Sequence, residues 1–318
     1  MIFEVSTTSG SLGIKSFGTY VTIEYYRGKD VAVTVPETVE AAGAYLPVRE
    51  IAKKAFVGAK SVNRIDVPES VIKVGEWGFA SCSELRDITF GSSDVELGNG
   101  VFRDCKKLTK IIVNCRNEAC SMIEGTPSDS AINVCADNAG DISHLLALAV
   151  SKMDASYLLD LKTAGSAEWI EHFDSTIEKF LRKDDSEGFS AMLLCGEEDY
   201  VGDDSNFDTF CMMKIKEKVR VIFVRLLHDL GLNDDYRKQF SDYLKNHMKD
   251  ATWEVVLTEH GDDKEYFDIL IECGCINDEN ISDLIASMGD RNSGMKGYLL
   301  KYKGENMSTE NFFDELEL

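Results

Sequence analysis

The feature that most constrains the fold of this chain is an apolar pattern that recurs every 23 residues between residues 46 and 113. Segments 51–70, 74–93 and 97–113 can be stacked in register. A unit this short cannot bury its own apolar face, so neighbouring units must share a continuous core. The recurring sets are Ile51/Val74/Leu97, Phe56/Phe79/Phe102, Ala59/Cys82/Cys105, Val62/Leu85/Leu108, Ile65/Ile88/Ile111 and Val67/Phe90/Val113.

Each position of the unit predicts a local structure. The end of the unit alternates polar and apolar residues, as in 64–67 (RIDV), which is the period of a half-buried strand. The phenylalanine lies in a turn-like stretch and is predicted to fill the interior of a solenoid. The position shared by Ala59, Cys82 and Cys105 is interpreted as core packing, because a buried free cysteine behaves as a small hydrophobe and no second ligand lies at metal spacing.

The pattern resembles the BspA-like leucine-rich repeat family, whose repeats run as an apolar strand, Ile-Pro-x-Ser-Val, Ile-Gly, Ala-Phe and Gly-Cys. The resemblance covers residues 31–113, with three regular copies and an earlier one that carries extra residues around 40–47. It implies a short β-rich solenoid with a role in adhesion or protein recognition, and it brings no binding residues with it. The matching residues are 35–39 (VPETV), 67–71 (VPESV), 74–75 (VG), 78–79 (GF) and 81–82 (SC).

The ends of the repeat region are predicted to be capped. Residues 1–30 are read as a β-rich N-terminal cap, which would shield the open edge of the solenoid. Within it, alternation at 19–25 and 31–35 around a turn at 27–30 predicts a hairpin. A last strand is predicted at 132–134.

The charge changes abruptly near residue 140. Residues 1–140 carry 15 Lys and Arg against 18 Asp and Glu, whereas residues 141–318 carry 19 against 38. We therefore predict two domains, 1–138 and 141–318, joined by a linker at 136–140. The acidic half disfavours binding to nucleic acid or to anionic membranes, both of which rely on Lys and Arg. Its charge serves solubility or, alternatively, attracts a basic partner or a cation.

The acidic half is predicted to be all-helical, which makes the chain an α+β multidomain protein. Apolar residues fall at helical spacing from residue 145 onward, for example at Trp169, Phe173 and Ile177. Two further helices are predicted to end at Gly231 and Gly274. Helical hairpins between 253 and 304 resemble ankyrin repeats weakly, and a plain helical bundle is the alternative.

The sequence offers no recognisable catalytic, metal-binding or cofactor-binding motif. The five histidines form no ligand pair, and the glycines at 289 and 294 lack the features of a phosphate loop. We therefore predict a non-enzymatic protein without cofactor. No transmembrane run or leader pattern is seen, and the odd number of cysteines, nine, favours reduced thiols. These features predict a cytoplasmic location, with the cell surface or secretion as the alternative.

The predicted function is a protein–protein interaction module or scaffold that uses the outward face of the repeat strands. The alternatives are a surface adhesin, or a catalytic or ligand-binding helical half that the repeats target. The partner is predicted to be a protein. The candidate partner-binding residues are Arg64, Asp66, Asp87, Thr89, Lys110 and Ile112.

Overall fold

The computed structural model divides the chain into two compact units, Met1–Ile177 and Glu178–Leu318. It describes residues 2–41, 43–114, 139–186, 188–189, 207–288 and 292–306.

The first unit begins with eleven β-strands in its described part. They are β1 (Ile2–Ser6), β2 (Gly10–Ser16), β3 (Val21–Gly28), β4 (Ala32–Thr34), β5 (Thr38–Ala41), β6 (Ala44–Ile51), β7 (Arg64–Val67), β8 (Lys73–Val74), β9 (Asp87–Phe90), β10 (Glu96–Leu97) and β11 (Lys110–Val113).

These strands form the two sides of a solenoid of about four turns. One sheet has the order β1-β2-β3-β6-β8-β10, with β5 paired to β6, and the other has the order β11-β9-β7-β4. Successive turns pair in parallel, and Arg64, Asp87 and Lys110 stand opposite one another. The 23-residue period of the sequence is therefore the length of one regular turn.

The N-terminal cap is formed by β1, β2 and β3, which pair antiparallel. The predicted hairpin between 19–25 and 31–35 is wrong. β3 pairs in parallel with β6, and β4 pairs in parallel with β7 in the other sheet. The chain turns a corner of the solenoid between β3 and β4, so alternation at both segments marks two sides of one turn.

The extra residues of the first repeat form a hairpin of their own. β5 pairs antiparallel with β6, and Thr38 stands opposite Pro47. The insertion thus extends one edge of the solenoid without disturbing the parallel register of the strands that follow, because β6 still aligns Glu50 and Ile51 with Lys73 and Val74.

The core of the solenoid is a stack of phenylalanine rings. Phe56, Phe79 and Phe102 are at most 2% exposed, and successive ring centroids lie 5.4 Å and 5.7 Å apart. Phe79 and Phe102 are stacked, with 14° between their planes, and Phe56 and Phe79 are tilted by 43°; aromatic contacts at such distances add to the hydrophobic effect of burial. The predicted role of these residues in filling the interior is confirmed.

The first described helix after the repeat strands packs against the last of them. Helix α1 (Ala139–Ser151) packs against β11, and Leu145 and Leu146 are fully buried. The predicted linker at 136–140 is wrong at its end, because Ala139 and Gly140 are already helical. Residues 136–138 and the predicted strand at 132–134 lie outside the described residues. The predicted domains, 1–138 and 141–318, stay a prediction, and the compact units divide between Ile177 and Glu178.

From α1 onward, the described residues contain helices and turns but no strand. Gly274, with φ of 68°, follows the cap of a helix that ends at Glu272, as predicted, whereas the helix predicted to end at Gly231 already ends at Leu227. The ankyrin-like resemblance stays a prediction. The helices after α1 are α2 (Ala167–Arg182), α3 (Phe207–Leu227), α4 (Asp234–Asn246), α5 (Trp253–Glu259), α6 (Lys264–Glu272), α7 (Ile281–Ser287) and α8 (Ser293–Asn306), with a π-helical turn at Met248–Thr252 before α5.

Candidate interaction surface

The six predicted partner-binding residues lie on the sheet formed by β4, β7, β9 and β11. Every second side chain of these strands points inward, and Ile65, Ile88 and Ile111 are fully buried there. The residues between them point outward, as strand geometry requires. The register arranges the six in two rows across the strands, which are Arg64/Asp87/Lys110 and Asp66/Thr89/Ile112.

The first row alternates in charge. Arg64 and Lys110 flank Asp87, so each neighbouring pair across the strands is a pair of opposite charges. Arg64 also bonds within its own strand to Asp66, with 2.9 Å between Nη2 and Oδ1. The hydrogen bond to Asp66 raises the pKa of Arg64 above its usual range, so this residue stays cationic. The face is thus charged but nearly neutral overall.

The opposite side of the solenoid carries a row of the reverse pattern. Glu50, Lys73 and Glu96 stand in register on β6, β8 and β10. Lys73 Nζ lies 3.5 Å from Glu96 Oε1. Opposite charges across strands contribute only modestly to stability at an exposed site. The two sides of the solenoid therefore present distinct charge patterns on a common frame.

The repeat cysteines lie inside the solenoid. Cys82 and Cys105 are at most 1% exposed, and their thiols donate to the carbonyl oxygens of Phe56 and Phe79, each at 3.1 Å. The contact with Cys82 and burial raise the pKa of the Cys105 thiol. A buried neutral thiol is a poor nucleophile and a poor metal ligand. The geometry agrees with a packing role.

Sequence reasoning missed one exposed aromatic residue of the repeats. Trp77 occupies a turn position where φ is positive, at 57°, and the equivalent residues one turn away are Lys54 and Gly100. Its side chain remains 39% exposed. The missed signal was the position itself, because a tryptophan stands where the next repeat has a glycine.

The described residues were compared with the geometry of a metal cluster and of a membrane-spanning helix. Among them, no group of three or more His, Cys, Asp and Glu side chains is placed to hold a metal ion. None of their helices combines the length and the apolar character that a membrane span requires.

Comparison with known proteins identifies the repeats. The fold and the in-register rows define a solenoid repeat protein, and residues 44–131 match the BspA type leucine rich repeat region in six copies. The resemblance inferred from the sequence is thereby confirmed, although the match starts later, extends further and counts more copies than predicted. Its end beyond residue 114 lies outside the described residues. No curated protein gives a significant match.

Part of this chain is similar to solved leucine-rich repeat structures. A leucine rich cell surface protein from Faecalibacterium prausnitzii is 22% identical over 35% of this chain and 30% of its own, with a TM-score of 0.30. A leucine-rich repeat protein from Bacteroides ovatus is 24% identical over 35% and 29%, with a TM-score of 0.31. This chain therefore spans about 30% of the length of these two proteins.

Leucine-rich repeat proteins are typically protein-interaction or surface proteins. The predicted α+β organisation, with a β-solenoid before a helical region, is confirmed. The cytoplasmic location predicted from the sequence receives no support from these comparisons.

Proposed function

We propose that this chain is a non-catalytic protein-interaction module that binds a protein partner through the strand face, defined as Arg64, Asp66, Asp87, Thr89, Lys110 and Ile112. The observation that carries the proposal is the register of β7, β9 and β11, which turns six scattered residues into one compact patch. A parallel sheet is rigid, so presenting side chains from it costs little conformational entropy on binding.

The chemistry of the strand face supports a protein as the ligand. Arg64, Asp87 and Lys110 alternate in sign, and Thr89 and Ile112 add a hydroxyl and an apolar side chain. Alternating charge favours a partner with the complementary pattern and disfavours a uniformly anionic polymer. Each residue differs chemically from its neighbours in the row, so the strand face presents a specific pattern that a partner can recognise.

The proposal is tested by charge reversal on the intact chain. One variant carries Arg64→Glu, Asp87→Lys and Lys110→Glu, and a matched control carries Glu50→Lys, Lys73→Glu and Glu96→Lys on the opposite side. Both variants invert one row and keep opposite charges on neighbouring strands, so general effects on stability are comparable. Each immobilised protein is used to capture partners from the producing cells, with quantitative mass spectrometry as the readout.

We expect the strand-face variant to lose about tenfold or more of the captured partner, since charge reversal at an interface costs several kcal/mol. The control should recover the partner as the wild type does. Equal recovery by both variants would overturn the proposal.

The same proposal extends to a location at the cell surface, because BspA-like repeats are typical of surface-associated binders. Protease treatment of intact cells tests this extension. Rapid loss of the protein while a cytoplasmic marker survives supports the surface, and protection of both supports the cytoplasm.

A further inference from the structure

A groove in the first unit lies between the turns of the last repeats and the segment after α1. Its volume is about 460 Å³, within the range of roughly 300–1,000 Å³ that is common for small-molecule sites. Two partly exposed aromatic residues, Trp77 and Tyr157, line it together with the polar residues Asn99, Arg103, Asp154 and Ser156.

Trp77 is held in this groove at a conformational cost. The equivalent residues Lys54, Trp77 and Gly100 all adopt positive φ, a region that glycine enters freely and a bulky residue does not. Strained residues of this kind concentrate at functional sites, where the surroundings hold them in place. A tryptophan at this position therefore calls for a reason beyond the turn itself.

Residues of the two neighbouring turns contact the Trp77 ring and hold it in place. A Cβ atom on Gly100 would lie 2.7 Å from Cδ1 and 2.8 Å from Nε1 of Trp77, so only glycine leaves room for the ring. On the side of the preceding turn, Lys54 Nζ lies 4.6 Å from the ring centroid, a cation–π contact. The ring is thus fixed between two turns while part of it stays exposed.

Tyr157 is fixed by a different contact. Its side chain is 70% exposed, yet its hydroxyl lies 2.9 Å from Thr176 Oγ1. Thr176 donates in turn to the carbonyl oxygen of His172, so Tyr157 acts as the donor to Thr176. This bond holds the phenol end and leaves the ring in solvent, which is the arrangement of a preorganised stacking surface.

The polar residues of the groove indicate the chemistry of the ligand. Arg103 donates hydrogen bonds, Asp154 accepts them, and the amide of Asn99 does both. One cation and one anion leave the groove with little net charge, which disfavours phosphate or nucleic acid. A proline-rich peptide would present mainly carbonyl acceptors and would leave Asp154 without a donor. A sugar presents hydroxyl groups that both donate and accept, and its apolar ring face suits an aromatic surface.

We propose that this groove is a saccharide-binding site, in which Trp77 and Tyr157 stack on sugar rings while Asn99, Arg103 and Asp154 bind hydroxyl groups. This site is separate from the strand face, and the proposal does not depend on the function proposed for that face.

The test is affinity electrophoresis of the full chain in native gels containing laminarin, xylan, mannan, dextran or mucin. The variants are Trp77→Gly, Tyr157→Ala and, as a control, Tyr45→Ala, which removes another exposed tyrosine, 74% exposed, that does not line the groove. Glycine suits the positive φ at residue 77, so Trp77→Gly removes the ring without straining the turn.

We expect at least one polymer to retard the wild type and the control. Trp77→Gly and Tyr157→Ala should weaken binding by about tenfold or more, the effect of losing an aromatic anchor. Circular dichroism melting of the variants should show folded proteins. No retardation by any polymer, or equal retardation of Trp77→Gly and wild type, would overturn the proposal. Binding of a proline-rich peptide without binding of any polymer would also overturn it.

Discussion

The repeat region and the second unit (Glu178–Leu318, the helical unit) bury different kinds of side chain. The solenoid interior is filled by stacked apolar rows, with Phe56, Phe79 and Phe102 as its axis. The helical unit buries cations as well as apolar groups. Arg225 is fully buried and Lys218 is 4% exposed. A row of identical apolar residues stabilises any number of turns, whereas a buried cation stabilises only the one place where its acceptors meet.

Both cations donate to backbone carbonyl groups. Arg225 donates to the carbonyl oxygens of His228 and Leu230 at 2.6 Å and 3.0 Å, just where α3 ends. Cations favour helix C-termini because the last carbonyl groups have no partner within the helix. Lys218 donates to the carbonyl oxygen of Lys183 at 2.7 Å and forms an ion pair with Asp185. The helical unit therefore relies on specific polar contacts that no repeat enforces.

The largest effect is expected from breaking the phenylalanine stack. Phe79→Ala removes the middle ring and leaves a cavity, which should cost about 3–5 kcal/mol of unfolding free energy. Urea denaturation measures the loss of unfolding free energy, and hydrogen exchange of the backbone amides shows whether the loss lies in the repeats. Val57→Ala removes a 48% exposed residue's side chain in the preceding turn and should change stability by less than about 0.5 kcal/mol. Similar losses for both variants would contradict the stacked core.

A smaller loss is expected in the helical unit from Arg225→Ala. The variant leaves two carbonyl groups without their charged donor, which should cost about 2–4 kcal/mol. Arg182→Ala removes an arginine from an exposed ion pair with Glu178 and should cost less than about 0.5 kcal/mol. Thermal unfolding measures both. A neutral Arg225→Ala would show that the buried cation does not stabilise its helix end.

The N-terminal cap of the solenoid, unlike the repeats, also buries a charged side chain. Asp30 is 3% exposed and accepts hydrogen bonds from Thr7 Oγ1, the backbone of Ser9 and the hydroxyl of Tyr26. Burial acts to raise the pKa of Asp30, but these bonds outweigh it and hold the pKa below its usual value. The contribution of Asp30 to stability should therefore be complete above about pH 4 and be lost as pH falls through the lowered pKa.

Asp30→Asn should cost about 1–3 kcal/mol at pH 7, since the charged acceptor of three hydrogen bonds is lost. Denaturation at pH 7 and pH 3 measures the difference. The gap between the variant and the wild type should narrow at the lower pH. A gap that is constant with pH would assign the loss to packing instead of charge.

The smallest effect is expected from the exposed ion pairs that join successive turns. Lys107 Nζ lies 2.7 Å from Glu84 Oε1, and both side chains are at least 40% exposed. Lys107→Met should change stability by less than about 0.5 kcal/mol. A larger loss at low salt that disappears at high salt would show that these pairs form a network.

The difference between repeated apolar contacts and single polar contacts also determines what could be predicted from the sequence. The apolar rows could be predicted because Ile65, Ile88 and Ile111 recur at one spacing. A recurrence of this kind shows which residues of successive turns pack against one another. The strands that pair with β3 and β4 could not be predicted. Alternation shows which side chains of a strand point inward, but it does not show which strand lies beside it. The burial of Arg225 and Asp30 could not be predicted for a related reason. Whether a buried charge is stable depends on hydrogen-bond partners that are distant in sequence or belong to the backbone.

The candidate sites divide in the same way. The six residues of the strand face follow from the repeat register, and the structure places them together. The groove around Trp77 and Tyr157 joins a repeat turn to a segment about 80 residues away, so no periodicity could have shown it. The missing information was the packing of the segment after the solenoid, which the sequence leaves open.

The central claim, that the strand face contacts a protein, is tested most directly by site-specific crosslinking. A photoreactive phenylalanine analogue is placed at Thr89, in the middle of the strand face, and at Lys73 on the opposite side as a control. Both proteins are irradiated in the producing cells and analysed by mass spectrometry. We expect a protein adduct from position 89 and none from position 73. No adduct at position 89, or the same adducts from both positions, would contradict the claim.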